Sequence, residues 1–233
     1  MNTSQQTVPD SKNRLKDLFI FQAWLVLLLA SFFGAALAGI QLTLSPKIEA
    51  NKLNETLEKV PELILGADAA QAFIDKNRQM EIDRQFIEAG KKIYSVFQAK
   101  TNGQTAGWVV KSSGQGYAGK IELLIGVDAK SEEITGLFIL DQKETPGLGN
   151  KIMESVWRKQ FINKSTQQQL TAVKTKAAAP NEINAITGAT ISSKSVCGIV
   201  NQSLENLRQP LASAALNNQN PSDNQPNNNQ EKK

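Results

Sequence analysis

The chain has 233 residues, with 26 Lys+Arg against 22 Asp+Glu, no His and one cysteine, Cys197. Without His there is no Ser-His-Asp triad, no Cys-His dyad, no imidazole zinc site and no His-ligated haem, and one thiol can build neither an internal disulfide nor an iron–sulfur cluster; any redox chemistry must come from an organic cofactor. The net charge of +4 is made of charges mixed in sign with no aromatic-interleaved basic run, so nucleic acid is not an expected partner.

In chain order, the first feature is the run LFIFQAWLVLLLASFFGAALAGIQLTLSP at 18–46, which holds no charged residue. About 20 apolar residues suffice to cross a bilayer. The polar positions that a soluble helix would gather on one face are reduced here to Gln22, Ser31, Gln41 and Thr43. A transmembrane helix over 18–44 is therefore expected, behind a cytoplasmic tail of residues 1–17. Ala36-Leu37-Ala38 has the small-x-small form of a signal-peptide cleavage site, but the apolar run is long for one, which favours a retained anchor. Basic residues tie across the span, with Lys12, Arg14 and Lys16 before it and Lys47, Lys52 and Lys59 after it. The leading tail is short and large downstream domains cross regardless of charge, so the expected orientation puts residue 47 onward outside the cytoplasm.

Residues 45–81 read as a juxtamembrane helical connector, its first helix KIEANKLNETLEKV ending at Pro61. A folded domain over 82–209 follows. KIYSVFQA at 92–99 and AGWVVKS at 106–112, separated by Thr101-Asn102-Gly103-Gln104, predict a hairpin. Beyond a Gly-rich loop at 113–117, residues 120–127 alternate with Ile121, Leu123, Ile125 and Val127 on one face, and 134–140 pairs with them across the turn at 128–132. An antiparallel sheet with flanking helices, an α+β fold, is the expected outcome. KIMESVWRKQF at 151–161 looks helical, with Ile152 and Val156 on related faces and Trp157 as an anchor. A last helix from about Ser193 to Arg208 presents Val196, Ile199, Val200, Leu204 and Leu207 on one face and ends at Pro210. Cys197, beside that face, is read as a small buried residue. Residues 210–233, rich in Asn, Gln and Pro, are expected to be a disordered tail.

Two loops carry the candidate chemistry. Glu144-Thr145-Pro146-Gly147-Leu148-Gly149 joins a strand to the helix near 151, and Pro followed by Gly suits a type II turn. Ile186-Thr187-Gly188-Ala189-Thr190-Ile191-Ser192-Ser193-Lys194 runs into the last helix. There Ser192 or Ser193 suits an N-cap, and the helix start with Lys194 nearby suits a phosphate. Gly188 and Ala189 would let a bulky ligand approach the backbone.

The uncharged span, GQGYAG at 114–119, ETPGLGNKI at 144–152, Trp157 with Phe161, and ITGATIS at 186–192 together resemble the FMN-binding subunits RnfG and NqrC of bacterial membrane electron-transport complexes, over about residues 18–208. The short chain, with one terminal helix close behind TGAT, looks more like RnfG. The resemblance implies FMN esterified through its phosphate to Thr190 by a flavin transferase, with Thr187, Gly188 and Ala189 as recognition residues. It also implies a flavin pocket shaped by Glu144, Thr145, Gly147, Leu148 and Gly149, with Ser193 and Lys194 at the helix start. The chain departs from the family pattern at Asn184, where Asp is common, and at Gln142, where His is frequent. By the same resemblance the chain is an electron-carrier subunit, not catalytic alone, of a complex passing electrons between ferredoxin and NAD with sodium or proton transport. It would sit as a single-pass protein in a bacterial inner membrane, among other Rnf-type or Nqr-type subunits, the transferase and membrane lipid. The alternatives are an NqrC-like subunit of a sodium-translocating NADH:quinone reductase, a stand-alone extracytoplasmic flavin relay, or a non-redox anchored binding or assembly domain.

Overall fold

The computed structural model describes residues 11–76 and 80–217. It divides into two units, Met1–Lys52 and Leu53–Lys233. The first is the leading part of helix α1 (Ser11–Leu65). From Phe21 its apolar side chains point outward all round: Phe21, Trp24, Leu37 and Leu42 are each more than two-thirds exposed. The most apolar 18 residues reach a mean hydropathy of 2.2 with none buried. A helix apolar on every face is matched to lipid, where its backbone bonds are satisfied internally; this stretch is long and apolar enough to cross a membrane. Thr43 Oγ1 and Ser45 Oγ donate to the carbonyls of Gly39 (3.0 Å) and Gln41 (2.8 Å), which satisfies both hydroxyls near the end of the run.

In the second unit, α1 does not end at Pro61. It continues to Leu65 because Val60, Leu63 and Ile64 are buried against a sheet, and tertiary packing outweighs the lost Pro61 backbone donor. Gly66 then stops it with φ +80°, its N–H reaching the Glu62 carbonyl at 2.9 Å, a left-handed cap that only glycine adopts at no steric cost. Helix α2 (Ala67–Asp75) follows.

The sheet is an antiparallel meander in chain order: β1 (Glu81–Ala89), β2 (Lys92–Thr101), β3 (Gln104–Gln115), β4 (Lys120–Asp128) and β5 (Ile134–Asp141). The expected hairpin is β2–β3, turning through Asn102 and Gly103, both at positive φ. Strand β1 has no counterpart in the sequence expectations. Its Glu81, Asp83, Arg84 and Glu88 hide the period of two, and it lies at the sheet edge, where charge is tolerated and blunts further pairing. The alternation in β4 predicts one buried face. The strand buries both: Leu124 is as inaccessible as Ile121, Leu123, Ile125 and Val127. One face of the sheet, with Phe97, Ala99, Val109 and Leu124, receives Val60, Leu63 and Ile64 of α1. The other, with Tyr94, Val96, Trp108, Val110 and the alternating β4 residues, receives the last helix α4 (Thr190–Asn217) through Val196, Ile199, Val200, Leu204 and Leu207.

Helix α4 begins three residues earlier than expected and runs through Pro210 to Asn217, because Leu211, 1% exposed, still packs on this core. Of the expected tail, residues 210–217 are thus helical, and 218–233 lie outside the described residues, as do 1–10 of the expected cytoplasmic tail. The single helix expected over 151–161 is instead a 3-10 turn (Gly149–Met153), an extended Glu154, one α turn α3 (Ser155–Arg158) and a second 3-10 turn (Lys159–Phe161). Ile152 and Trp157 are both buried, yet five residues on one α-helix are about 140° apart; the break at Glu154 turns both inward and leaves Val156 80% exposed. Trp157 meets Phe161 edge-on at 5.2 Å and donates its indole N–H to the Asn184 carbonyl at 2.9 Å. Two three-residue strands, β6 (Thr171–Val173) and β7 (Glu182–Asn184), pair in parallel.

Cys197 is 2% exposed on α4, and burial pushes its thiol up to about 12. Only thiolate reacts readily with alkylating agents. In the native protein Cys197 is therefore expected to resist iodoacetamide at pH 8 over an hour and to add one carbamidomethyl group in denaturant, as read by intact mass; rapid native labelling would contradict its placement.

Candidate functional site

The two loops singled out by sequence are both tight turns. In the first, the Leu148 N–H bonds to the Thr145 carbonyl at 3.2 Å with Gly147 at φ +75°, as a type II turn with Pro146 and Gly147 at its centre requires. In the second, the Ala189 N–H bonds to the Ile186 carbonyl at 2.9 Å with Gly188 at φ +81°, the same geometry placed directly before α4. The turns approach each other: a Cβ on Gly188 would lie 3.1 Å from the Leu148 side chain. Sequence positions some forty apart thus share one site.

Between them lies a cleft of about 690 Å³, a size that suits a bulky cofactor. Glu144, Thr145, Leu148, Gly149, Thr187, Gly188, Ala189 and Thr190 all line it. Gly147, Ser193 and Lys194 do not. Gly147 shapes its turn from outside, and Lys194 is exposed away from the lining. Ser193 is fully buried, accepting the Ile186 N–H and donating to the Ala189 carbonyl, both at 3.0 Å. Neither Ser192 nor Ser193 is an N-cap as expected: α4 starts at Thr190, so both lie inside its first turn. Ser193 braces the turn from within the helix, and Ser192 donates to the buried carboxylate of Glu144.

The lining also contains residues not expected to touch a cofactor: Tyr117, Lys174, Ala185, Ile186, Ile191 and Ser192. Ala185, Ile186, Ile191 and Ser192 flank the second turn, and the flanks of a candidate loop were the signal available for them. Tyr117 and Lys174 arrive by topology. Tyr117 sits in the β3–β4 connection and Lys174 directly after β6, and no local pattern points either toward residue 190. Of the lining residues, Tyr117, Leu148 and Ile191 expose apolar surface (65%, 45% and 56%). Such faces can flank a flat aromatic ring.

Polar groups also line the cleft. The first intrahelical bond of α4 runs from the Ser193 N–H to the Ala189 carbonyl at 3.0 Å, so the amides of Thr190, Ile191 and Ser192 precede the helical ladder and face the start of the helix dipole. These amides suit a phosphate beside the half-buried Thr190, and Lys174 adds a cation to the same cleft lining. The loop carrying Lys174 is held by Asn184, whose Oδ1 accepts the Ala177 N–H (2.7 Å) while Nδ2 donates to Gln160 Oε1 (2.9 Å). An Asp could not make the second bond, so the asparagine is matched to its neighbours. In the same loop Glu182 accepts the N–H groups of Ala178 and Ala179, which hold its carboxyl below the usual range. Gln142 accepts the Glu144 N–H through Oε1. Among the described residues, no cluster of His, Cys, Asp or Glu could hold a metal ion.

The family model for the FMN-binding domain matches residues 116–205, a range that contains both turns. The G-type subunit of a Na(+)-translocating ferredoxin:NAD(+) oxidoreductase complex from Acetobacterium woodii is 42% identical over 121 residues, 51% of this chain and 58% of that one; the chain spans less than two thirds of that relative's length. The G-type subunit of an ion-translocating oxidoreductase complex from Pasteurella multocida is 32% identical over 206 residues, 82% of this chain and 94% of that one. Among solved structures, NqrC of Shewanella oneidensis shares the fold at a TM-score of 0.58 and 16% identity, over 72% of this chain and 99% of that one.

Proposed function

The chain belongs to the family of G-type subunits of ion-translocating oxidoreductase complexes, and from that premise we propose that it is an electron-transfer subunit carrying FMN linked covalently through its phosphate to Thr190. The observation that carries this is the cleft itself, lined by two apposed turns, by the apolar side chains of Tyr117, Leu148 and Ile191, by Lys174, and by Thr190 at the start of α4. In the attachment step a flavin transferase directs the Thr190 oxygen to the FMN phosphorus of FAD. The bond from that phosphorus to AMP breaks, AMP leaves and the hydroxyl proton goes to solvent. Bound there, the flavin supplies reversible electron uptake. The chain's own residues would hold the phosphate at the amides of 190–192 and Lys174, flank the ring with Tyr117, Leu148 and Ile191, and offer loop amides to its polar edge.

The apolar stretch of α1 anchors the subunit in the membrane. The proposed arrangement is a single pass with residue 47 onward outside the cytoplasm, as a one-flavin relay beside the other subunits of a ferredoxin:NAD oxidoreductase complex. The fold shared with NqrC keeps the NADH:quinone reductase assignment as the second reading, and the higher identity to the G-type relatives favours the first. The test is co-expression with a flavin transferase, followed by denaturing electrophoresis and intact mass. Fluorescence that survives denaturation together with the FMN mass increment is the expected result. An unmodified chain in the presence of a transferase that labels a control substrate would overturn the proposal.

A further inference from the structure

We propose that Glu144 is a positioning residue of the cleft: its carboxylate clasps the turn at 116–119 to the first turn of α4 and so fixes the gap between Tyr117 and Thr190. The identity of the cleft's occupant rests on the function above, but the clasp is a property of the folded chain and is testable without flavin.

Glu144 is 5% exposed. Its Oε1 accepts the Ala118 N–H at 3.1 Å and its Oε2 accepts the Ser192 hydroxyl at 2.5 Å, so its two oxygens serve two segments far apart in sequence. Both partners donate, which is the pattern an ionised carboxylate, an acceptor on both oxygens, is made for. The surroundings leave room for this side chain and little else. A Cβ on Gly116 would fall 2.3 Å from Oε1, and one on Gly149 would fall 2.8 Å from both Oε2 and the Ser192 Oγ. Each end of the clasp adjoins a residue of the site. Ala118 follows Tyr117 in a turn closed by the Gly116 N–H to Gly119 carbonyl bond of 2.7 Å, and Ser192 stands two residues beyond Thr190 on the same helical turn. Glu144 itself is fixed at its base by Gln142, which accepts its backbone N–H. Held between these three segments, the carboxylate sets how far the Tyr117 ring stands from the Thr190 hydroxyl, and it acts on the cofactor through those two residues.

The test pairs amide hydrogen exchange on the flavin-free chain with the rate of flavin attachment on the chain supplied with transferase and FAD. In Glu144→Ala, exchange at Ala118 and Ser193 is expected to rise about tenfold while amides of β4 keep their parent rate, and attachment to Thr190 is expected to slow about tenfold. Glu144→Gln can still accept from Ala118 and donate to Ser192, so it is expected to return both quantities to within about threefold of the parent; general loss of stability would not be rescued in this selective way. Parent-like exchange at both Ala118 and Ser193 in Glu144→Ala, or a Glu144→Gln chain as impaired as Glu144→Ala, would overturn the clasp. Should Glu144→Ala fail to fold, Ser192→Ala cuts the α4 end alone. Faster exchange at Ser193 with slower attachment then supports the clasp, and parent values for both overturn it. A parent chain that accepts no flavin overturns the proposed function but leaves the exchange measurements to decide the clasp.

Discussion

Thr190→Ala is expected to carry no covalent flavin under conditions that fully load the parent, and to melt within about 4 °C of it. In the proposed linkage the hydroxyl is the atom that accepts the phosphoryl group, so its loss removes the reaction, not merely part of its rate. Stability changes little because Thr190 is half-buried at the first position of α4. A partly exposed position of this kind costs about 1 kcal/mol or less, which is about 2–4 °C in a chain of this size. The neighbouring hydroxyls cannot take over. Ser192 is buried and donates to Glu144, and Ser193 is buried and donates to the Ala189 carbonyl. Thr187 is exposed in the turn, and it provides the critical control. Flavin found on Thr187 by peptide mass after Thr190→Ala would mean that the turn, rather than the helix start, presents the acceptor. Thr190→Ser keeps the oxygen and loses the methyl group that restricts its rotamer, so slower but measurable attachment is expected.

How much of this was legible in the sequence follows from what each signal depends on. The type II turn at Pro146-Gly147 and the core face of α4 are set by residues next to each other or one turn apart, and both stand where the local pattern put them. The apolar run is likewise a local composition, and its helix is where that composition predicts it. What escaped depends on neighbours remote in sequence. Strand β1 is polar because it is an edge, and an edge is known only once its partner is in place. Pro61 and Pro210 read as stops because a proline does break an isolated helix, but burial of Leu63, Ile64 and Leu211 carries the helices past them. In the site, Thr187 to Thr190 and the 144–149 loop are found through motif resemblance, and their convergence is a fact of the fold. Lys174 reaches the cleft only because β6 pairs with β7, and a three-residue parallel pair leaves almost no periodic trace. Ser193, expected to meet ligand, instead meets its own backbone, since hydroxyls in a first helical turn serve either purpose and burial decides between them.

Gly126→Ala is expected to cause a large loss of stability, at the upper end of about 1–3 kcal/mol for overpacking, with melting about 6–12 °C lower. The residue pairs with Gly136 across β4 and β5, and the bare strip they form receives the last turn of α1. A Cβ on Gly126 would stand 2.6 Å from the Leu63 carbonyl oxygen and 2.7 Å from Thr135 Oγ1. The first of these is backbone and cannot rotate away. The helix would have to lift, and lifting withdraws Val60, Leu63 and Ile64 from Phe97, Val109 and Leu124, so a local clash becomes lost apolar burial. Thr135→Ala in the same background would relieve only the side-chain contact and is expected to restore little; substantial rescue would show that the hydroxyl, not the helix backbone, was the obstacle. The second observable is the last part of α1, which packs on the sheet. With the seat filled, protease is expected to cut between Leu53 and Gly66 at a concentration that leaves the parent intact, while Cys197, on the opposite face of the sheet, stays protected from alkylation. Cleavage and alkylation appearing together would mean that the whole domain had opened, and parent-like resistance of the 53–66 segment would show that α1 does not depend on this strip of glycine for its seat.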